Sequence, residues 1–186
     1  MITQYFDLPI LEWIRQNLQC AFLDTLMPPI THLGDGGAIW ITLALALLCS
    51  RKWRKTGLAM ALALCMGLVL CNLTLKPLVG RIRPFDYQLQ HFGAAIPLLI
   101  EAPTDFSFPS GHTIASFEAA TVLLLQSRKW GIPAMILAAL IAFSRLYLYV
   151  HYPTDVLTSV VLGILLALFA NQIVNKRKIT YKEFLL

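Results

Sequence analysis

Two histidines are the side chains best able to move protons near neutral pH. His112 ends the stretch Phe108-Pro109-Ser110-Gly111-His112, where proline and glycine punctuate a polar segment just ahead of an apolar run. Ser110, Gly111 and His112 therefore sit at or just before a helix N-terminus. Free backbone N–H groups and the positive end of the helix dipole make a seat for an anion there. His151 lies four residues before Asp155, with Pro153 between them at a position suited to the first turn of a helix. An aspartate so placed can accept from one imidazole nitrogen and leave the other as base or nucleophile, although an ordinary N-terminal cap uses the same spacing. Ser144-Arg145 closes another apolar stretch, where an unpaired guanidinium is expensive and seeks a planar oxyanion. Lys76 and Arg83-Pro84 follow a further apolar block; Lys76 alone would equally serve as a lysine reaching lipid head groups. Taken together, two imidazoles, fixed cations and a helix N-terminus suit the chemistry of a phosphate ester.

The segments that must position these groups read as membrane helices. Of the 186 residues, 58% are hydrophobic and only 13% charged, against roughly 25% charged in a soluble domain. Mean hydropathy is +0.67. The apolar residues come in blocks, which indicates spans rather than an oversized core. Spans are expected at about 37–50, 57–75, 111–126, 132–150 and 153–174. Within 8–26, Leu8, Leu11, Ile14 and Leu18 recur at helical spacing among charged residues, as in an interfacial amphipathic helix, and Pro28-Pro29 should end it. The expected fold is thus all-α, an integral membrane bundle of about five transmembrane helices plus an N-terminal amphipathic helix. It forms a single domain over 1–186, with 1–33 as the interfacial segment and 76–110 as a functional loop.

The formal net charge is +5, but the basic residues fall in short runs between apolar blocks. That pattern sets topology and does not form a nucleic-acid-binding stripe. Arg51, Lys52, Arg54, Lys55, Arg128, Lys129, Lys176, Arg177, Lys178 and Lys182 share one side, which is then cytoplasmic. Asp7, Glu12, Asp24, Asp35, Asp86, Glu101, Asp105 and Asp155 share the other, so the 76–110 loop, His112 and His151 face outward. No pattern of a cleaved signal peptide is present at the N-terminus. Cys20, Cys49, Cys65 and Cys71 lack metal or redox spacing and are expected to be inert buried thiols.

Three motifs in order, Lys76-x6-Arg83-Pro84, Pro109-Ser110-Gly111-His112 and Ser144-Arg145-x5-His151-x3-Asp155, resemble the three-part signature of the type 2 phosphatidic acid phosphatase (PAP2) superfamily. That superfamily includes membrane lipid phosphatases and, more distantly, vanadium haloperoxidases. The resemblance covers Lys76 to Asp155 at motif level; the N-terminal third carries none of it. It implies His151 as the nucleophile that forms a phosphohistidine, Asp155 as its orienting partner, and His112 as the group that protonates the leaving oxygen and then activates water. Lys76, Arg83, Ser110, Gly111 and Arg145 would hold the phosphoryl oxygens. No carboxylate cluster suggests a metal, so a metal-free, cofactor-free reaction is expected.

The implied activity is that of a lipid phosphatase or diphosphatase in a bacterial plasma membrane, with its site on the extracytoplasmic side. Undecaprenyl diphosphate is the leading substrate, and phosphatidylglycerophosphate or phosphatidic acid the alternative. A lipid phosphotransferase would use the same groups. A non-catalytic bundle or transporter would instead tolerate loss of His151. Outside the motifs, Glu118 sits two turns into the third span and either pairs with Arg145 or lines the pocket. His32 and Asp35 belong to a turn before the first span. Trp40, Tyr147, Tyr149 and Tyr152 suit an interfacial aromatic belt, and Asp86, His91 and Asp105 a solvated loop.

Overall fold

The structure, a computed structural model, describes residues 3–183, with side chains described as far as Asn175. Every regular element among the described residues is helical. In chain order these are α1 (Leu8–Leu18), α2 (Ala21–His32), α3 (Ala38–Cys49), α4 (Arg54–Leu68), α5 (Lys76–Val79), α6 (Pro84–Phe92), α7 (Gly111–Gln126), α8 (Arg128–Tyr147) and α9 (Pro153–Glu183). Val69–Leu75 continues α4 as a π-helical stretch, and Asp35–Gly37 forms a single 3-10 turn before α3.

Three helical stretches are long and apolar enough to cross a membrane: Arg54–Phe92, Arg128–Tyr147 and Pro153–Asn175. The pair Ala21–His32 and Asp35–Cys49, bent by 44°, adds a fourth. α7 is apolar but only 16 residues long. It lies at the centre of the bundle, packed against α4, α8 and α9, so its length is set by its neighbours rather than by lipid.

Small residues make this packing possible. Ala59, Ala63, Ala119, Ala120, Ala138, Ala167 and Ala170 are buried between helices, letting backbones approach where lipid offers no competing hydrophobic drive. Gly163 brings α9 close to α7 in this way: a Cβ there would lie 2.9 Å from the Ile114 carbonyl oxygen. Trp40 donates from Nε1 to Ser116 Oγ at 2.9 Å, tying α3 to α7.

The N-terminal segment departs from the expected single amphipathic helix. It breaks at extended Gln19 and Cys20, not at the prolines. α2 runs through Pro28 and Pro29 to His32, with Met27 and Thr31 buried; tertiary packing offsets the hydrogen bonds that proline removes. Leu8, Leu11 and Ile14 face the protein, packing near Tyr147, Leu148, Tyr149 and Tyr152.

The expected aromatic belt is corrected for the same reason. Trp40, Tyr147, Tyr149 and Tyr152 are all buried. The acids that looked like interfacial charges are partners for two of them. Tyr147 donates to Asp24 at 2.6 Å, and Tyr149 donates to Glu12 at 2.8 Å. The thiols are also not as expected, since only Cys71 is buried. Of the residues assigned to the cytoplasmic face, Lys176, Arg177, Lys178 and Lys182 lie outside the described side chains.

Candidate active site

Lys76, Arg83, Gly111, His112, Glu118, Arg145 and His151 line one cavity of about 730 Å³. They come from α5, the start of α6, α7, α8 and the α8–α9 turn. Both histidines thus lie at one end of the bundle, around one space.

The second histidine is placed by a turn. Val150 and His151 both donate backbone N–H groups to the Arg145 carbonyl, at 3.2 and 3.3 Å. The turn requires Tyr149 at φ 60, a left-handed conformation uncommon for a bulky residue. Gln88, which donates to the Tyr149 hydroxyl at 2.9 Å, and Glu12, which accepts from it, hold the ring in place. His151 is almost fully buried. Arg83 Nη1 lies 3.3 Å from its Nε2. A guanidinium can only donate, so Nε2 is the unprotonated nitrogen and Nδ1 carries the proton. Burial, followed by the charges of Arg83, Arg145 and Lys76, holds this imidazole well below its ordinary pKa of 6.5. It is therefore neutral at physiological pH, with its lone pair toward the cavity.

Asp155 lies behind it. Its Oδ2 is 3.6 Å from His151 Nδ1, an ion-pair distance but longer than a hydrogen bond. The carboxylate accepts instead from Ser107 Oγ at 2.5 Å and from the Tyr152 backbone N–H at 3.1 Å. Arg81 Nη1 donates to its other oxygen at 2.5 Å.

The cations are held at fixed places. Arg83 donates from Nε to the Asp105 carbonyl at 2.8 Å and from Nη1 to the Val150 carbonyl at 2.7 Å. Arg145 is buried, donates to Thr31 Oγ1 at 2.6 Å, and leaves its Nε without a partner. Lys76 and Arg83 both form ion pairs with Asp105, which corrects its expected role as a solvated loop residue. Burial pushes the Asp105 carboxyl up, but Lys76 and Arg83 outweigh it and bring it down to about 2.

Ser110 caps α7, its side chain accepting from the Thr113 N–H, while its own N–H donates to Ser159 Oγ at 2.8 Å. It lies beneath the cavity wall, whereas Gly111 is at the wall itself. His112 occupies the first turn of α7, with Nε2 2.8 Å from Asp35 Oδ1. Glu118 does not contact Arg145. It is buried in the wall with neither carboxylate oxygen bonded, against Gly67, where a Cβ would come within 2.2 Å of Oε1.

Comparison with known proteins assigns the family. Residues 55–179 match the PAP2 superfamily. The chain belongs to that superfamily. An undecaprenyl-diphosphatase from Sulfolobus acidocaldarius is 32% identical over 169 residues, covering 90% of this chain and 78% of the relative. Phosphatidylglycerophosphatase B from Bacillus subtilis is 34% identical over 157 residues, 78% of this chain and 72% of the relative. Among solved structures, LpxE of Aquifex aeolicus superposes with a TM-score of 0.75 at 27% identity, over 91% of this chain and 98% of that one. The PAP2 assignment and the apolar helices make this an integral membrane phosphatase.

Several residues packed around this site carry no signal in the motifs. Arg81 lies two positions from Arg83, yet it points the other way, toward Asp155, Asp7 and Thr154. It also stacks on Tyr152 at 3.8 Å from the ring centroid. Asp7 is completely buried and accepts from Arg81 at 2.6 Å and from the Thr154 N–H at 2.9 Å. Ser107 and Ser159 complete the surroundings of Asp155 and Ser110. A hint was present in the crowding of Arg81 between Lys76 and Arg83, but the acid that pairs with it lies 74 positions earlier.

Proposed function

We propose that this phosphatase hydrolyses undecaprenyl diphosphate to undecaprenyl phosphate and inorganic phosphate, through a phosphohistidine at His151. One observation carries the reading: the cavity that holds the cations and both histidines continues along Ile41, Leu45, Leu64 and Leu68. A phosphoryl group at the polar end leaves an apolar slot for a hydrocarbon chain. The similarity to an undecaprenyl-diphosphatase supports the polyprenyl substrate.

Catalysis follows from the arrangement. Arg83, Arg145, Lys76 and the N–H groups at the start of α7 neutralise the phosphoryl oxygens, which is the main demand of phosphoryl transfer. As the phosphoryl oxygens draw Arg83 toward them, His151 Nε2 is freed to attack phosphorus. The P–O bond to the leaving lipid phosphate breaks, and His112 gives that oxygen a proton. His112 then takes a proton from water, the hydroxide bonds to phosphorus, and the P–N bond to His151 breaks. Asp155 supports the cationic phosphohistidine from the Nδ1 side. Ser110 acts through the cap it provides to α7. Each step is assigned to this chain's own side chains, without metal or cofactor.

The charge asymmetry of the connecting segments supports a site on the extracytoplasmic side, in what we take to be a bacterial plasma membrane. A second substrate class, phosphatidylglycerophosphate or phosphatidic acid, is favoured by the similarity to phosphatidylglycerophosphatase B; transfer to a lipid acceptor would use the same intermediate. The test is phosphate release from polyprenyl diphosphates, phosphatidylglycerophosphate and phosphatidate, with chelator present and His151→Ala alongside. Fastest release from the polyprenyl diphosphate is expected. Preference for a glycerophospholipid would reverse the order, and release by His151→Ala would remove the mechanism.

A further inference from the structure

Both histidines share one cationic surround, yet the reaction needs them in opposite protonation states at the start. Burial and the neighbouring cations suit a neutral His151. His112 faces the same Lys76 and Arg145, from α5 and α8, and is itself only partly exposed. What distinguishes it is a carboxylate. Asp35 Oδ1 lies 2.8 Å from His112 Nε2, and Asp35 Oδ2 lies 2.7 Å from Nδ1 of His32. At His151 the nearest carboxylate oxygen, Asp155 Oδ2, stands off at 3.6 Å from Nδ1, which has no hydrogen-bond partner.

We infer that Asp35 is the positioning residue of His112, holding its ring and stabilising the imidazolium that serves as the leaving-group acid, with His32 fixing Asp35 from the solvent side. The inference presupposes the phosphatase mechanism above and adds the group that separates the two histidines.

The local fold supports this role. Asp35 sits in the turn Gly34-Asp35-Gly36-Gly37, between α2 and α3. Gly36 and Gly37 take φ of 57 and 71, a conformation few other residues adopt without strain. At Gly34 a Cβ would come within 2.8 Å of His112 Cδ2, so only glycine lets this turn lie against the ring. Asp35 Oδ1 holds Nε2, so Nδ1 is the nitrogen left to meet the leaving oxygen and then the attacking water.

The sign of the effect is fixed by the roles. His112 must start protonated, so activity falls as pH rises through its titration. An ionised neighbour moves that fall to higher pH, and its removal moves it back. His151 must start neutral and sets the acid limb; Asp35 does not touch it.

The experiment is the pH dependence of phosphate release by the full-length protein in detergent, with a polyprenyl diphosphate as substrate. Asp35→Asn, Asp35→Glu and His112→Ala are compared with wild type, and folding is followed by thermal unfolding. Asp35→Asn is expected to move the alkaline limb down by about one pH unit, as for loss of an opposite charge in contact, with the acid limb unchanged. Asp35→Glu should restore most of the shift. Asp35→Ser provides a second removal of the carboxylate should the asparagine variant unfold. An unshifted alkaline limb in a folded variant lacking the carboxylate, with His112→Ala inactive, overturns the inference and leaves the phosphatase mechanism standing. Substantial turnover by His112→Ala overturns the mechanism itself.

Discussion

Arg81→Met should cost more stability than the loss of any residue in the motif set. The guanidinium, about one-fifth exposed, bridges two carboxylates that are both fully buried, Asp7 at 2.6 Å and Asp155 at 2.5 Å. It also donates to Thr154 Oγ1 at 2.8 Å and Thr3 Oγ1 at 3.0 Å. Methionine keeps the volume and removes the charge. Two buried anions are then left facing each other across the gap. Breaking one buried ion pair from one side costs about 3–5 kcal/mol, because the stranded charge cannot recover its hydration. For a chain of this size, that is a fall in Tm on the order of 10 °C. The assay is thermal unfolding in detergent, with Asp7→Asn and the double variant completing a cycle. Asp7→Asn in the Arg81→Met background should recover at least half of the loss, since it neutralises one stranded anion. The rate should fall as well, because Asp155 loses the group that aims it. An Arg81→Met protein within a degree or two of wild type, or strictly additive effects in the cycle, would refute the reasoning.

Other consequences can be measured with the same preparations. Asp105 is held down at about 2 by Lys76 and Arg83. Its contribution to stability is therefore complete above its unfolded value near 3.8 and is lost as pH falls toward 2. The Tm difference between wild type and Asp105→Asn should be flat near neutrality and vanish at the acid end. Gly163→Ala places a methyl group 2.9 Å from a backbone oxygen of α7 and should lower stability by about 1–3 kcal/mol, read as a fall in Tm. Glu118 is a buried acid with both oxygens unbonded, so Glu118→Leu should leave Tm unchanged or raise it, since up to about 3 kcal/mol of desolvation cost is relieved. A large loss of Tm would mean that the carboxyl has a partner.

The apolar blocks made the helical, membrane-embedded character legible, because a backbone in lipid must satisfy its own hydrogen bonds. The motifs marked Lys76, Arg83, Gly111, His112, Arg145 and His151, which the fold gathers around one cavity. What the sequence concealed was the partner of each charge. Asp7, Glu12 and Asp24 read as interfacial acids, since burial of a carboxylate shows only when its distant donor is known. They pair with Arg81, Tyr149 and Tyr147, between 74 and 137 positions away. The aromatic residues were misassigned through the same ignorance of tertiary partners. A tyrosine with a bonded hydroxyl at a helix end has the same local sequence as one at a lipid interface. Pro28 and Pro29 misled for a local reason, because a proline's cost can be offset by packing that sequence spacing does not report.

The account stands most directly on a covalent bond between phosphorus and His151. Acid is avoided in quenching, because phosphohistidine is acid-labile; turnover of a polyprenyl diphosphate labelled at its terminal phosphorus is stopped with alkali within the first turnover, and the peptides are mapped by mass. Label on the peptide bearing His151, absent in His151→Ala, is the predicted result. Phosphate release without any labelled peptide, or label retained in His151→Ala, would contradict it.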